Sequence, residues 1–217
     1  MTERKERLGI YGGTFSPIHM GHVRSAHAFL EAMDLDRLLI VPSAKPPHKP
    51  EIPGATAEDR MNMAHLAFRD SDAYRTGRIE ISDYEMERGG RSYTVYTLEH
   101  FASKDRELFF LVGTDMFFTL PRWFRAEDIF RYADIVLMRR EDDAVNTPLI
   151  AEKKAEYIKN YGARVYEIDE PPTVISSTQL RRRLFCGVEG DEMLPDAVEE
   201  YILKNNLYRN LKNDNTD

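Results

Sequence analysis

Short apolar runs alternate along the chain with stretches in which apolar residues recur every three to four positions. Residues 8–11, 37–41, 78–82, 108–112, 135–138 and 164–168 read as strands, being short, apolar and rich in Leu, Ile, Val and Phe. Between them the spacing predicts helices over 20–33, from Thr56 through 61–68, over 94–102, about 127–132 and about 148–160. Two more helical segments, 178–185 and 196–204, close the chain, and the polar residues from Asn210 onward predict a frayed tail. Thr56 and Asp59 stand in capping-box spacing ahead of their helix. Prolines at 42, 46, 47, 50 and 53 exclude regular structure from 42–53.

Strands separated by helices of this length imply right-handed βαβ units. The expected fold class is α/β: a Rossmann-like doubly wound parallel sheet with helices on both faces, followed by C-terminal helical segments. No internal repeat, low-complexity tract or linker breaks the pattern. Residues 1–209 are therefore expected to form one domain and 210–217 a polar tail. Such sheets bind ligands at the carboxyl ends of their strands, where strand order reverses. A functional segment should accordingly follow a strand directly.

Composition narrows the classes. With 217 residues, 42% hydrophobic and 11% aromatic, the chain can bury a substantial core. A formal charge of −7 opposes a nucleic-acid binder that works by neutralising phosphates, yet leaves room for a locally positive pocket. Cys186 is the single cysteine, so neither an internal disulfide nor a cysteine metal cluster is available, which fits a reducing cytoplasm. No N-terminal apolar stretch has signal-peptide length, and no segment approaches the roughly 18 apolar residues of a membrane span. The expected protein is cytoplasmic, with neither nucleic acid nor membrane as partner. Its oligomeric state is not encoded in any pattern of this kind.

Chemistry concentrates after the first predicted strand, in Gly12-Gly13-Thr14-Phe15-Ser16-Pro17-Ile18-His19-Met20-Gly21-His22. The glycines let a ligand approach the backbone, and Pro17 stiffens the loop. A helix beginning near Ile18 would place His19 and His22 on one face of its first turn, beside exposed amides and the positive end of the helix dipole. Each element alone is more often only a tight turn or a buried structural histidine. Together they describe a corner for phosphate chemistry.

Other segments meet the same test of position. After the second strand, Pro42–Lys49 presents Lys45, His48 and Lys49 from a loop stiffened by prolines. Ser176 and Gln179 have capping-box spacing, and Ser177, Thr178 and Arg181 add hydroxyls and a guanidinium to a helix start. Asp115, in Gly113-Thr114-Asp115, follows a strand as a ribose-binding acid would, and equally as a helix cap would. Trp123 sits among arginines in Pro121-Arg122-Trp123-Phe124-Arg125, a composition suited to a pocket rim.

These segments resemble the nucleotidyltransferases related to class I aminoacyl-tRNA synthetases, whose (T/H)-x-G-H signature is His19-Met20-Gly21-His22 here. Within that superfamily the string from Gly12 to His22 looks most like the bacterial nicotinate mononucleotide adenylyltransferases. The resemblance runs from residue 8 to about 183 through five ordered motifs. It implies adenylyl transfer from ATP to nicotinate mononucleotide, giving nicotinate adenine dinucleotide and pyrophosphate. His19 and His22 would be the catalytic charge stabilisers. Gly12, Gly13, Thr14, Lys49, Ser177, Thr178 and Arg181 would bind ATP and its phosphates. Ser92, Tyr93, Thr94, Asp115 and Trp123 would bind the mononucleotide, with Trp123 stacked on the pyridine ring. Mg²⁺ would be held mainly by the ATP phosphates, with no dedicated protein metal site. Ser16 and Thr114 depart from the family, which most often has Asp and Ala there. The competing readings are a relative acting on nicotinamide mononucleotide or phosphopantetheine, a cytidylyltransferase, and a nucleotide-binding regulator without turnover.

Overall fold

The structure, a computed structural model, describes residues 4–46, 54–139, 147–169, 176–188 and 190–209. In chain order its elements are β1 (Glu6–Gly13), α1 (Met20–Ala32), β2 (Arg37–Pro42), α2 (Ala57–Phe68), α3 (Asp72–Arg75), β3 (Ile79–Ile81), α4 (Tyr84–Arg88) and α5 (Thr94–Phe101). They continue with β4 (Arg106–Gly113), α6 (Thr114–Thr119), α7 (Ala126–Tyr132), β5 (Ala133–Arg139), α8 (Thr147–Tyr161), β6 (Val165–Asp169), α9 (Ser177–Phe185) and α10 (Asp196–Lys204). The six strands form one sheet in the order β3-β2-β1-β4-β5-β6, and each neighbouring pair is parallel. Chain order thus runs outward from β1 on one side and from β4 on the other. The crevice between their carboxyl ends is the point of reversal, where this class of sheet binds ligands.

Strand alternation divides the core into two layers. Leu38, Ile40, Phe109, Leu111, Val136 and Met138 point to one face, where they pack with Phe29, Met63, Phe68, Leu180 and Ile202. Leu8, Ile10, Leu39, Val41, Phe110, Val112, Ile135 and Leu137 point to the other, against Val95, Leu98, Phe117, Ile129 and Tyr157. The strands read as continuous apolar runs because both faces are covered. The predicted fold class is the one observed.

Differences from the predicted elements have local causes. β1 runs on through both glycines because Gly12 and Gly13 keep register with Val41 and Pro42. Pro42 ends β2 although it has no amide; the Ser43 N–H instead donates to the Gly13 carbonyl at 2.8 Å. α3, α4 and α6 have four to six residues each, too few for a 3.6-residue period to register. The predicted irregular stretch 42–53 is described only through Pro46, and the predicted tail 210–217 lies outside the described residues. No helix among the described residues is long and apolar enough to cross a membrane.

The Thr56–Asp59 capping box forms as its spacing predicts. The Thr56 amide and hydroxyl donate to Asp59 Oδ2 at 2.8 and 2.7 Å, and the Asp59 amide donates to Thr56 Oγ1 at 3.0 Å. Tyr201 of α10 adds its hydroxyl to Asp59 Oδ1 at 3.0 Å, tying α2 to α10. Burial pushes the Asp59 carboxyl up, but the Thr56 hydroxyl and amide and the Tyr201 hydroxyl outweigh it and hold it below the ordinary range. A depressed carboxyl contributes stability above its unfolded value, near pH 3.9, and loses it as pH falls through the folded value. Thr56→Ala is therefore expected to cost about 1 kcal/mol in denaturant unfolding at pH 7. Asp59→Asn should flatten the fall in stability that wild type shows as pH drops below about 4.

Candidate active site at the switch point

Residues 14–19 connect β1 to α1 beneath the crevice, and Phe15, Ser16, Pro17, Ile18 and His19 are all buried. Gly13 is required because a Cβ there would stand 2.8–3.1 Å from the Phe15 ring, which folds back over it. Gly12 carries no such constraint; a Cβ would meet only the Phe110 ring, at 4.0 Å. Phe110 in turn meets Trp123 edge-on at 6.2 Å. One wall of the crevice is thus glycine backbone, then Phe110, then the half-buried indole. Trp123 Nε1 donates to Thr119 Oγ1 at 3.3 Å, which fixes the rotation of the ring.

The histidines are arranged differently from the sequence expectation. His19 is not inside the first turn but is the N-cap of α1, with extended backbone (φ −143°, ψ 171°), and His22 occupies the third helical position. They form a reciprocal capping box. The His22 amide donates to His19 Nδ1 at 3.4 Å, and the His19 amide donates to His22 Nδ1 at 3.2 Å. The rings stack with centroids 3.7 Å apart and planes 27° apart. A nitrogen that accepts a hydrogen bond carries no proton, so in both rings the proton belongs on Nε2. Two imidazoles are thereby fixed as side-by-side Nε2–H donors at the positive end of α1.

The loop that carries them is held by three distant segments, two through its backbone and one through a side chain. Arg60 of α2, 5% exposed, donates from Nη1 to the Thr14 carbonyl at 2.9 Å and from Nη2 to the Ala44 carbonyl at 3.3 Å. Burial pushes Arg60 below its ordinary value, opposed by the Tyr208 phenol and the Glu85 carboxylate. Ser177 of α9 donates to the Pro17 carbonyl at 3.1 Å, and Arg181 Nη1 donates to the Ser16 carbonyl at 2.7 Å. Arg181 Nη2 reaches Thr178 Oγ1 at 3.1 Å. The Ser16 hydroxyl meets the Tyr208 hydroxyl at 3.0 Å. Ser176 caps α9 by accepting from the Gln179 amide at 3.2 Å. The predicted triphosphate residues Ser177, Thr178 and Arg181 therefore start a capped helix directly against the histidine loop, although those side-chain bonds go to protein.

The second half of the site is joined to the first by an unforeseen contact. Ser92 is buried; its amide donates to the Lys45 carbonyl at 2.9 Å, and its Oγ accepts from the Lys45 amide at 3.0 Å. Ser92 thus fixes the start of the lysine loop. Lys45 itself is exposed, whereas His48 and Lys49 lie outside the described residues. Tyr93 packs against Phe124, the neighbour of Trp123, with ring centroids 4.6 Å apart and planes tilted by 35°. Thr94 opens α5, and no side chain caps that helix. Asp115 lies exposed in the first turn of α6, which likewise has no side-chain cap, so the helix-cap alternative for this residue is not what forms.

Arg60, Tyr208 and Phe124 escaped the sequence reading. Arg60 had one available signal, a charged residue sharing the helical face of Ala64 and Phe68. Tyr208 had none, since its partner is 192 positions away.

Comparison with known proteins agrees with this geometry. The model of the cytidylyltransferase-like family matches residues 10–183, from the last residues of β1 through α9. A protein of Caldicellulosiruptor saccharolyticus named "Probable nicotinate-nucleotide adenylyltransferase" is 36% identical over 203 residues, covering 94% of this chain and 99% of its own. The protein of the same name from Pseudomonas syringae pv. tomato is 36% identical over 221 residues, covering 96% of each. Among solved structures, Plasmodium falciparum nicotinic acid mononucleotide adenylyltransferase complexed with NaAD superposes with a TM-score of 0.70 at 19% identity. It covers 94% of this chain and 97% of its own, a correspondence of fold. With its signature histidines at the switch point of a six-stranded parallel sheet, the chain belongs to the cytidylyltransferase-like family of nucleotidyltransferases, among the nicotinate-nucleotide adenylyltransferases.

Proposed function

We propose that this enzyme joins ATP and nicotinate mononucleotide to form nicotinate adenine dinucleotide, releasing pyrophosphate. The observation that carries the reading is the reciprocal His19–His22 cap, which presents two Nε2–H donors at the carboxyl end of β1. The mononucleotide phosphate is already an anionic nucleophile at neutral pH, so no general base is required. The chain has to align that phosphate with the α-phosphorus of ATP and to stabilise charge as pyrophosphate departs. His19 and His22 do the latter by hydrogen bonding to phosphate oxygens. Ser177, Thr178 and Arg181 hold the β and γ phosphates beside them, Gly12, Gly13 and Thr14 admit the nucleotide to the backbone, and Lys49 adds positive charge from the loop after β2.

The pyridine ring stacks on Trp123, whose indole face favours an electron-poor ring. The uncapped first turn of α5 and the Thr94 hydroxyl supply donors, which suit a carboxylate better than an amide. The exposed Asp115 carboxylate serves the ribose or a water-mediated cation contact. A magnesium ion would accompany the triphosphate, held mainly by the phosphates and water. When bound it neutralises charge on the phosphates.

Pyrophosphate release with ATP and Mg²⁺ tests the reading directly. Nicotinate mononucleotide should be turned over faster than nicotinamide mononucleotide, and phosphopantetheine not at all; equal rates on the first two would overturn the acceptor preference. His19→Asn and His22→Gln separate catalysis from capping, since Asn is a strong N-cap and Gln completes a capping box. Both should melt near the wild-type temperature yet lose about 100- to 1000-fold in turnover. Trp123→Ala should raise the KM for nicotinate mononucleotide about tenfold while leaving the KM for ATP unchanged.

A further inference from the structure

Tyr208 lies beyond α10, close to the C-terminal end of the described chain, and is 0% exposed. It is also anchored in an unusual way. Its backbone is left-handed (φ 62°), as is that of Asn206 (φ 51°), so the chain turns sharply to drive the ring inward. Its amide donates to the Gly54 carbonyl at 3.2 Å. Gly54 itself has φ +104°, and a Cβ there would stand 2.9–3.2 Å from Tyr208 atoms. At the far end of the ring the phenol meets Ser16 Oγ at 3.0 Å, inside the histidine loop. Burial raises the phenol well above its ordinary value, partly offset by the Ser16 hydrogen bond and the Arg181 and Arg60 charges, so it is present as the neutral O–H.

Ser16 is consequently gripped twice, by Tyr208 on its side chain and by Arg181 on its carbonyl. Only Pro17 and Ile18, both buried, separate it from the N-cap His19. A displacement of Ser16 is transmitted to both Nε2–H donors and to Arg181. On the functional reading above, we infer that Tyr208 is a positioning residue for adenylyl transfer, a C-terminal latch that sets the histidine loop through Ser16. The interaction also gives the serine at position 16 a purpose, because its short hydroxyl side chain fits between the loop backbone and a phenol.

Tyr208→Phe keeps the ring and removes only the hydroxyl; Ser16→Ala removes the other partner. Each should lower kcat for pyrophosphate release about 10- to 100-fold while changing the KM for ATP and for nicotinate mononucleotide by less than about threefold. Because both substitutions delete the same bond, the double variant should be no slower than the worse single one. Should Tyr208→Phe fail to fold, Ser16→Ala alone still decides through the same split between kcat and KM. Unchanged kcat in a folded single variant, or losses that multiply in the double variant, would overturn the latch. Absence of pyrophosphate release by the wild-type enzyme would instead overturn the functional reading.

Discussion

Everything at this site rests on where two ring protons are. Each signature imidazole spends Nδ1 on the other's backbone amide, and that exchange does three things at once. It satisfies two of the amides that a helix start leaves without partners. It fixes the tautomer of both rings, so the outward nitrogen is a donor. It also stacks the rings at 3.7 Å, which makes their separation a property of the backbone. Electrostatic stabilisation of a transition state is effective when the donors are already in place and need no reorganisation. Here the placement costs nothing beyond what any helix start demands.

The cap is only as fixed as the loop before it. Residues 14–17 offer three carbonyls and one hydroxyl, and these are taken by Arg60, Arg181, Ser177 and Tyr208, all from segments that follow α1 in the chain. Arg60 is the least expected of the four. It is a buried cation with no carboxylate at ion-pair distance among the described residues, and it binds carbonyls from the loops after β1 and β2. A guanidinium suits this work because its donors are planar and diverge at fixed angles. Strand order places the two loops side by side, and Arg60 fastens them.

Much of this was legible in the residues, and the limits of legibility are physical. All six strands registered because both sheet faces are covered and each strand is a dense apolar run. Longer helices registered by their period; α3, α4 and α6, of four to six residues, did not. His19, His22 and Ser176–Arg181 stand out in the sequence because their motifs are made of neighbours along the chain. Their division of labour was not, since nothing in the string tells an N-cap from a first-turn residue, or an arginine aimed at phosphate from one holding the Ser16 carbonyl. Ser92 marks the same boundary. The motif around it was apparent, whereas its two bonds to Lys45 depend on how β2 and α5 come together.

That paired contact between Ser92 and Lys45 has a thermodynamic meaning. It joins the segment ahead of α5 to the start of the loop after β2, through backbone atoms on one side and both a backbone and a hydroxyl on the other. Free energies around a cycle must sum to zero, so any coupling that this pairing carries between the two segments is equal in both directions. One buried serine thus holds together two segments that lie 47 positions apart in the chain.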